Sequence, residues 1–256
     1  MEKTQYYKDE LNDEFSEAQI KTKKIDGSYK YKRNSFLRFF WYRIVFYPIA
    51  YFYCLFKFHH KTINRKVFKK VKGAYFMYGN HTQQVGDPFL YNMLNFPKDN
   101  FVIVHPNNVS MPFLGRINPY LGAIPLPDDL KAMKNFMKTI QEKVAKKKAI
   151  IIFPEAHIWP YYTKIRPFKE DSFHYPVKEN VPVYCFTNTY QKRKFGKGVN
   201  IITYCDGPFY IDYSLKTAQE KKLDLRNRVY KTMVERSKNS NIEVVKYIKM
   251  EEKSND

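Results

Sequence analysis

His81 and Asp87, in the segment GNHTQQVGDPFL, are the residues of this chain whose types and spacing fit general-base chemistry. An imidazole held at a cleft can take the proton of a hydroxyl near neutral pH, and a carboxylate in hydrogen-bond reach fixes its tautomer and stabilises the imidazolium. A plainer reading stands beside this one. Asp87 followed by Pro88 reads as a helix start, with Asp87 at the N-cap and Pro88 at the first helical position, and a single histidine is commonly structural. No Ser or Cys stands in a nucleophile elbow beside His81, so a covalent intermediate is not suggested. Glu155, His157, His105 and His174 could be grouped as metal ligands, but Glu and His two residues apart on a strand-to-loop turn is no metal spacing of strength. Neither a metal nor a bound cofactor is expected.

Elements that could position His81 follow from the apolar pattern. Short β-rich runs, AYFMYG, FVIVH, AIIIFP, VPVYCFTN and VNIITYC, alternate with helical runs, two of them over roughly 129 to 146 and 215 to 237. Strands apolar on both faces and separated by helices predict an α/β fold with a largely parallel central sheet flanked by helices. His81 then sits at the end of AYFMYG, and in such sheets sites lie outside the carboxyl ends of the strands. The acidic pair Asp128 and Asp129 reads as a helix N-terminus.

Residues 1–33 are polar and charge-rich, an exposed arm to which no chemistry is assigned. Residues 34–70 hold the most apolar stretch, interrupted by Arg38, Arg43 and Pro48. Its charge-free run from Ile44 to Phe56 would extend only about 20 Å as a helix against a hydrocarbon core of about 30 Å, which predicts an amphipathic helix in the membrane interface. The alternative is a helix packed on the protein's own core. The 45 Lys and Arg against 25 Asp and Glu give a net charge of +20, which calls for an anionic partner. With 22 Tyr and 21 Phe, a bilayer surface fits better than nucleic acid, and no nucleic acid is expected. Three cysteines without ligand spacing and a charged beginning without an apolar signal core point to the cytoplasmic face of the cell membrane.

Four blocks between about Val71 and Asp212, GNHTQQVGDPF, MPFLGRINPYLGAIPL, IIFPEAHIWP with the downstream IRPFKEDSFH, and VPVYCF, resemble in order and spacing the lysophosphatidic acid acyltransferase family of phospholipid synthesis. That resemblance implies one acyltransferase domain over 71–240, followed by a charged tail over 241–256. It also implies His81 as base, Asp87 as its partner, and direct transfer of an acyl group from acyl-CoA or acyl-ACP to the free hydroxyl of a lysophospholipid. Asn80, Glu155, Ala156 and His157 fall in its substrate-facing blocks. A lipid or thioester hydrolase on the same site and a non-catalytic basic binding protein are the alternatives.

The chain departs from the family pattern in three places. Five residues, Thr82 to Gly86, separate His81 from Asp87 where the family has four, and Gly86 offers a conformation that could reset the loop. Ala156, His157 and Ile158 replace the Gly, Thr and phosphate-binding Arg of FPEGTR. Pro127 stands where a second phosphate-contacting Arg is found. Arg116, Lys164, Arg166 and Lys169 are the cations left to serve, with Arg166 and Lys169 the first choices and Arg116 a further substrate contact.

Overall fold

The computed structural model describes residues 3–15, 20–196 and 198–250. Its nine strands are β1 (Lys3–Tyr7), β2 (Lys61–Ile63), β3 (Tyr75–Gly79), β4 (Asn100–Val104), β5 (Ala123–Pro125), β6 (Ala149–Ile152), β7 (Val183–Lys192), β8 (Val199–Phe209) and β9 (Val245–Lys249). The α-helices are α1 (Ser35–Phe56, with a π-helical stretch in its middle), α2 (Asp87–Asn92), α3 (Asn107–Ser110), α4 (Leu114–Leu121), α5 (Leu130–Ala145), α6 (His174–Glu179) and α7 (Ala218–Ser237). Seven strands form one sheet in the order β2-β8-β7-β3-β6-β4-β5, parallel throughout except where β8 runs antiparallel to β7. The expected α/β architecture with a largely parallel sheet is therefore observed, and all five expected strands and both expected helices are present.

Alternation along β3 explains why the sheet needs both faces covered. Phe76 and Tyr78 point to a layer made with Phe136 and Ile140 of α5 and Leu225, Val229 and Met233 of α7. Tyr75 and Met77 point the other way, against Val67, Phe68 and Phe186. Asp129 caps α5 by accepting from the Ala132 amide, as the acidic pair predicted, while Asp128 accepts from the amide of Ile25. A reciprocal Thr217–Glu220 capping box starts α7.

Helix α1 is longer than its charge-free run. It continues unbroken for 22 residues, about 33 Å at 1.5 Å per residue, and is long and apolar enough to cross a membrane by length and composition. Its two arginines are turned inward and so do not interrupt its outer face. Arg38 donates to the carbonyls of Tyr120 and Asn100, and Arg43 pairs with Asp99 at 2.5 Å. Tyr42, Ala50 and Cys54 are buried against the domain, while Phe36, Phe39, Ile44, Ile49, Phe52 and Phe56 face outward, each more than half exposed.

The polar arm is docked rather than free. Its β1 pairs in parallel with β9, so residues of the arm and of the charged tail share a second, two-stranded sheet. The alternation of β1 is hidden in sequence because both faces carry polar side chains. Residues 1–2 and 16–19 of the arm and 251–256 of the tail lie outside the described residues.

Candidate active site

β3 and β6 are neighbours, with Tyr78 opposite Ile152, so the segments leaving their carboxyl ends run side by side. That register places His81 next to the Phe153–His157 loop. The imidazole stacks on the Phe153 ring, with centroids 4.4 Å apart, and its Nδ1 lies 2.7 Å from Asp87 Oδ2. Five intervening residues still bring the two together because the chain coils between them: the Asp87 amide donates back to the Gln83 carbonyl in one helical turn. The helix begins one residue earlier than expected. Gly86 holds the N-cap place, Asp87 is the first helical residue, and the Asp87 carboxylate points back at the loop. Its Oδ2 accepts from the amides of Thr82 and Gln83 as well as facing His81, and Oδ1 accepts from Asn188 Nδ2.

The tautomer follows when Asp87 is ionised. Oδ2 of an ionised carboxylate only accepts, so Nδ1 carries the hydrogen and Nε2 is left with its lone pair. Asp87 is 1 % exposed. Burial pushes its pKa above the usual carboxylate value, opposed by the His81 contact and the two backbone amides.

Glu155 braces the loop from beneath. Oε2 accepts from the His81 amide at 3.1 Å and Oε1 from the Arg166 amide at 3.0 Å, with the Arg166 guanidinium 3.6 Å from Oε2. Burial raises the Glu155 pKa, and Arg166 opposes the rise. The Arg166 guanidinium also donates to the carbonyls of Glu10, Glu155 and His157 and lies over the Trp159 ring. Tyr190, buried behind the loop, donates to Thr82 Oγ1 and accepts from Gln83 Nε2.

A cleft of about 1150 Å³ opens in front of His81. One part of its wall is apolar, with Tyr91, Val102, Val104, Met111, Leu126 and Phe153. The other part is polar, with His157 and Lys169 among its residues. This hollow can hold a chain-bearing substrate beside a base.

The family model described as Acyltransferase matches residues 57–188, just over half of the chain. The chain belongs to the acyltransferase family. Its fold is also similar to the crystal structure of the 1-acyl-sn-glycerophosphate (LPA) acyltransferase, PlsC, from Thermotoga maritima. That structure is 19% identical with a TM-score of 0.52, over 82% of this chain and 98% of that one. A search of curated proteins gives no match.

Within this acyltransferase the other candidate residues separate into cleft and scaffold. Glu155, Ala156, His157 and Lys169 line the cleft with the dyad. Arg166, a first choice for phosphate, is 1 % exposed and occupied by Glu155 and three carbonyls, so its role is structural. Asn80 is buried too, its side chain exchanging two hydrogen bonds with the Asn188 backbone to tie β3 to β7. Arg116 lines a separate hollow with Lys23, Lys24, Tyr29 and Arg33. Gly86 adopts an ordinary helical conformation. A Cβ there would come within 2.5 Å of the Phe58 ring, so the position needs small size, not left-handed freedom. Ala156 does occupy the left-handed region, with φ +63°, at the place where the resemblance has glycine. Phe153, Asn188 and Tyr190 carry no signal of their own in the sequence, since an aromatic or amide within an apolar strand block reads as core.

Proposed function

We propose that this acyltransferase moves a fatty acyl group from acyl-CoA or acyl-ACP to the free hydroxyl of a lysophospholipid or similar single-chain lipid, with His81 as general base and Asp87 as its partner. The observation that carries the reading is the 2.7 Å contact between His81 Nδ1 and the buried Asp87 carboxylate, which reserves Nε2 for a proton. The acceptor hydroxyl hydrogen-bonds to Nε2, and its proton passes there as the oxygen attacks the thioester carbonyl carbon. The tetrahedral intermediate then collapses, the carbon–sulfur bond breaks, and the imidazolium returns the proton to the leaving thiolate. The buried negative charge of Asp87 favours the imidazolium during transfer. The apolar wall from Tyr91 to Phe153 suits the acyl chain.

Access from a membrane surface fits this chemistry, because both lipid partners reside there. The outward apolar face of α1 supports docking on a bilayer, with the protein peripheral on the cytoplasmic face. The basic hollow of Lys23, Lys24, Arg33 and Arg116 adds attraction for anionic lipid.

The test supplies labelled acyl thioesters, on coenzyme A and on acyl carrier protein, with a panel of lysolipids. Labelled diacyl product with stoichiometric thiol release is expected. Free fatty acid release exceeding transfer would replace this reading with hydrolysis by the same base.

A further inference from the structure

The described parts of the arm meet the cleft at two places. After β1 the arm passes over the loop that follows β6, where the Trp159 indole donates to the Asp13 carbonyl at 2.7 Å and His157 Nδ1 lies 3.1 Å from Glu14 Oε2. Farther along it is fastened beside α3: Thr22 Oγ1 donates to Asn107 Oδ1, and the Lys23 amide donates to Ser110 Oγ at 2.8 Å. Of the arm, Leu11, Asn12, Glu14 and Ile20 stand in the cleft wall.

The chemistry of the cleft mouth is distinctive. Asn12, Gln84, Asn107 and Asn108 present uncharged amide groups, and His105 and His174 present imidazoles. Among the described lining residues Lys169 is the one Lys or Arg, and beyond Asp87 and Glu155 the carboxylates are Asp171 and Glu14, the latter facing His157. A phosphomonoester carries about −1.5 to −2 near neutral pH and offers chiefly acceptor oxygens. Placing it against Glu14 sets acceptor against acceptor and like charge against like, with a single ammonium to offset the desolvation. Hydroxyl groups instead donate to carboxylates and both donate to and accept from amides and imidazoles.

Resting on the acyltransferase reading above, we propose that this mouth is the acceptor head-group subsite and takes an uncharged polyhydroxyl head group, a glycerol or a sugar, in preference to a phosphomonoester, with Asn12 and Glu14 of the arm as specificity-determining residues. The hydroxyls of such a head group bridge Glu14 and Asn12 on the arm to Asn107 and Asn108 below, and the hydroxyl to be acylated turns toward His81.

The full chain is assayed with whichever labelled thioester it turns over and three acceptors bearing the same acyl chain in the same detergent. These are 1-acylglycerol, a single-chain glycosyl lipid, and 1-acylglycerol-3-phosphate. At least one uncharged acceptor is expected to exceed the phosphate in kcat/KM by tenfold or more. Glu14→Lys should move that ratio at least tenfold toward the phosphate, and Asn12→Ala should raise KM for the uncharged acceptor more than it lowers kcat. Preference for the phosphate, or a ratio that ignores the charge reversal at Glu14, overturns the proposal while leaving acyl transfer intact. Failure to acylate any of the three, with the thioester unconsumed, overturns the transfer reading itself.

Discussion

Replacing Arg166 by Met should lower stability sharply and leave acceptor binding nearly unchanged. The guanidinium is buried beside a Glu155 side chain of 0 % exposure, and its removal strands a buried carboxylate and deprives three carbonyls of a donor. Breaking one half of a buried pair costs about 3–5 kcal/mol. An unfolding entropy of about 2.1 cal/mol/K per residue gives roughly 0.5 kcal/mol/K for 256 residues, so Tm should fall by about 6–9 °C. The Glu155→Gln, Arg166→Met double variant should lose less than the two single losses summed, because the stranded charge is gone. Thermal and urea unfolding followed by circular dichroism measure this, with KM for the acceptor taken on the same samples. A Tm within 2 °C of wild type together with a large rise in KM would refute the structural assignment and return Arg166 to the substrate.

Three further outcomes follow from local geometry. Burial, helped by Arg65, pushes the His60 pKa down to about 4 from 6.5, so between those values the unfolded chain binds more protons. Stability should therefore decline as pH falls from 6.5 toward 4, by at most about 3 kcal/mol and less for a partly solvated ring, and His60→Asn should flatten the slope in urea titrations. Ala156→Gly should raise stability by about 1 kcal/mol by relieving the left-handed alanine, read as a shift in urea midpoint. Serine at both Phe52 and Phe56, which are 54% and 69% exposed, should weaken binding to anionic vesicles by at least about tenfold in sedimentation with Tm retained.

The sheet was legible because a parallel sheet covered on both faces writes its strands as continuous apolar runs, and AYFMYG and AIIIFP have no competing pattern. The dyad was legible as types and order, although the family spacing is exceeded by one, because a single turn of helix absorbs a residue without moving the ends far. Which side of the backbone a cation takes was not legible. Arg166 follows Ile165 and precedes Pro167 in a segment rich in charge, and only the fold shows that its carboxylate partner, eleven residues earlier, waits beneath it. The arm's docking was hidden for a related reason. Its anchors are backbone groups and single side chains such as Glu10, Asp13 and Glu14, which leave no periodicity, and its partners Trp159 and His157 lie more than a hundred residues away.

The central claim is that His81 acts as the base with its tautomer held by Asp87. The initial rate of labelled acyl transfer, compared among wild type, His81→Ala, Asp87→Asn and His157→Ala at saturating thioester, tests it most directly. Loss of the base should lower kcat by about 10²–10⁴-fold, and the amide at Asp87 should come close to it by removing the charge that favours the imidazolium. His157→Ala should keep most of kcat. Transfer that survives in His81→Ala and disappears in a folded His157→Ala would contradict the account.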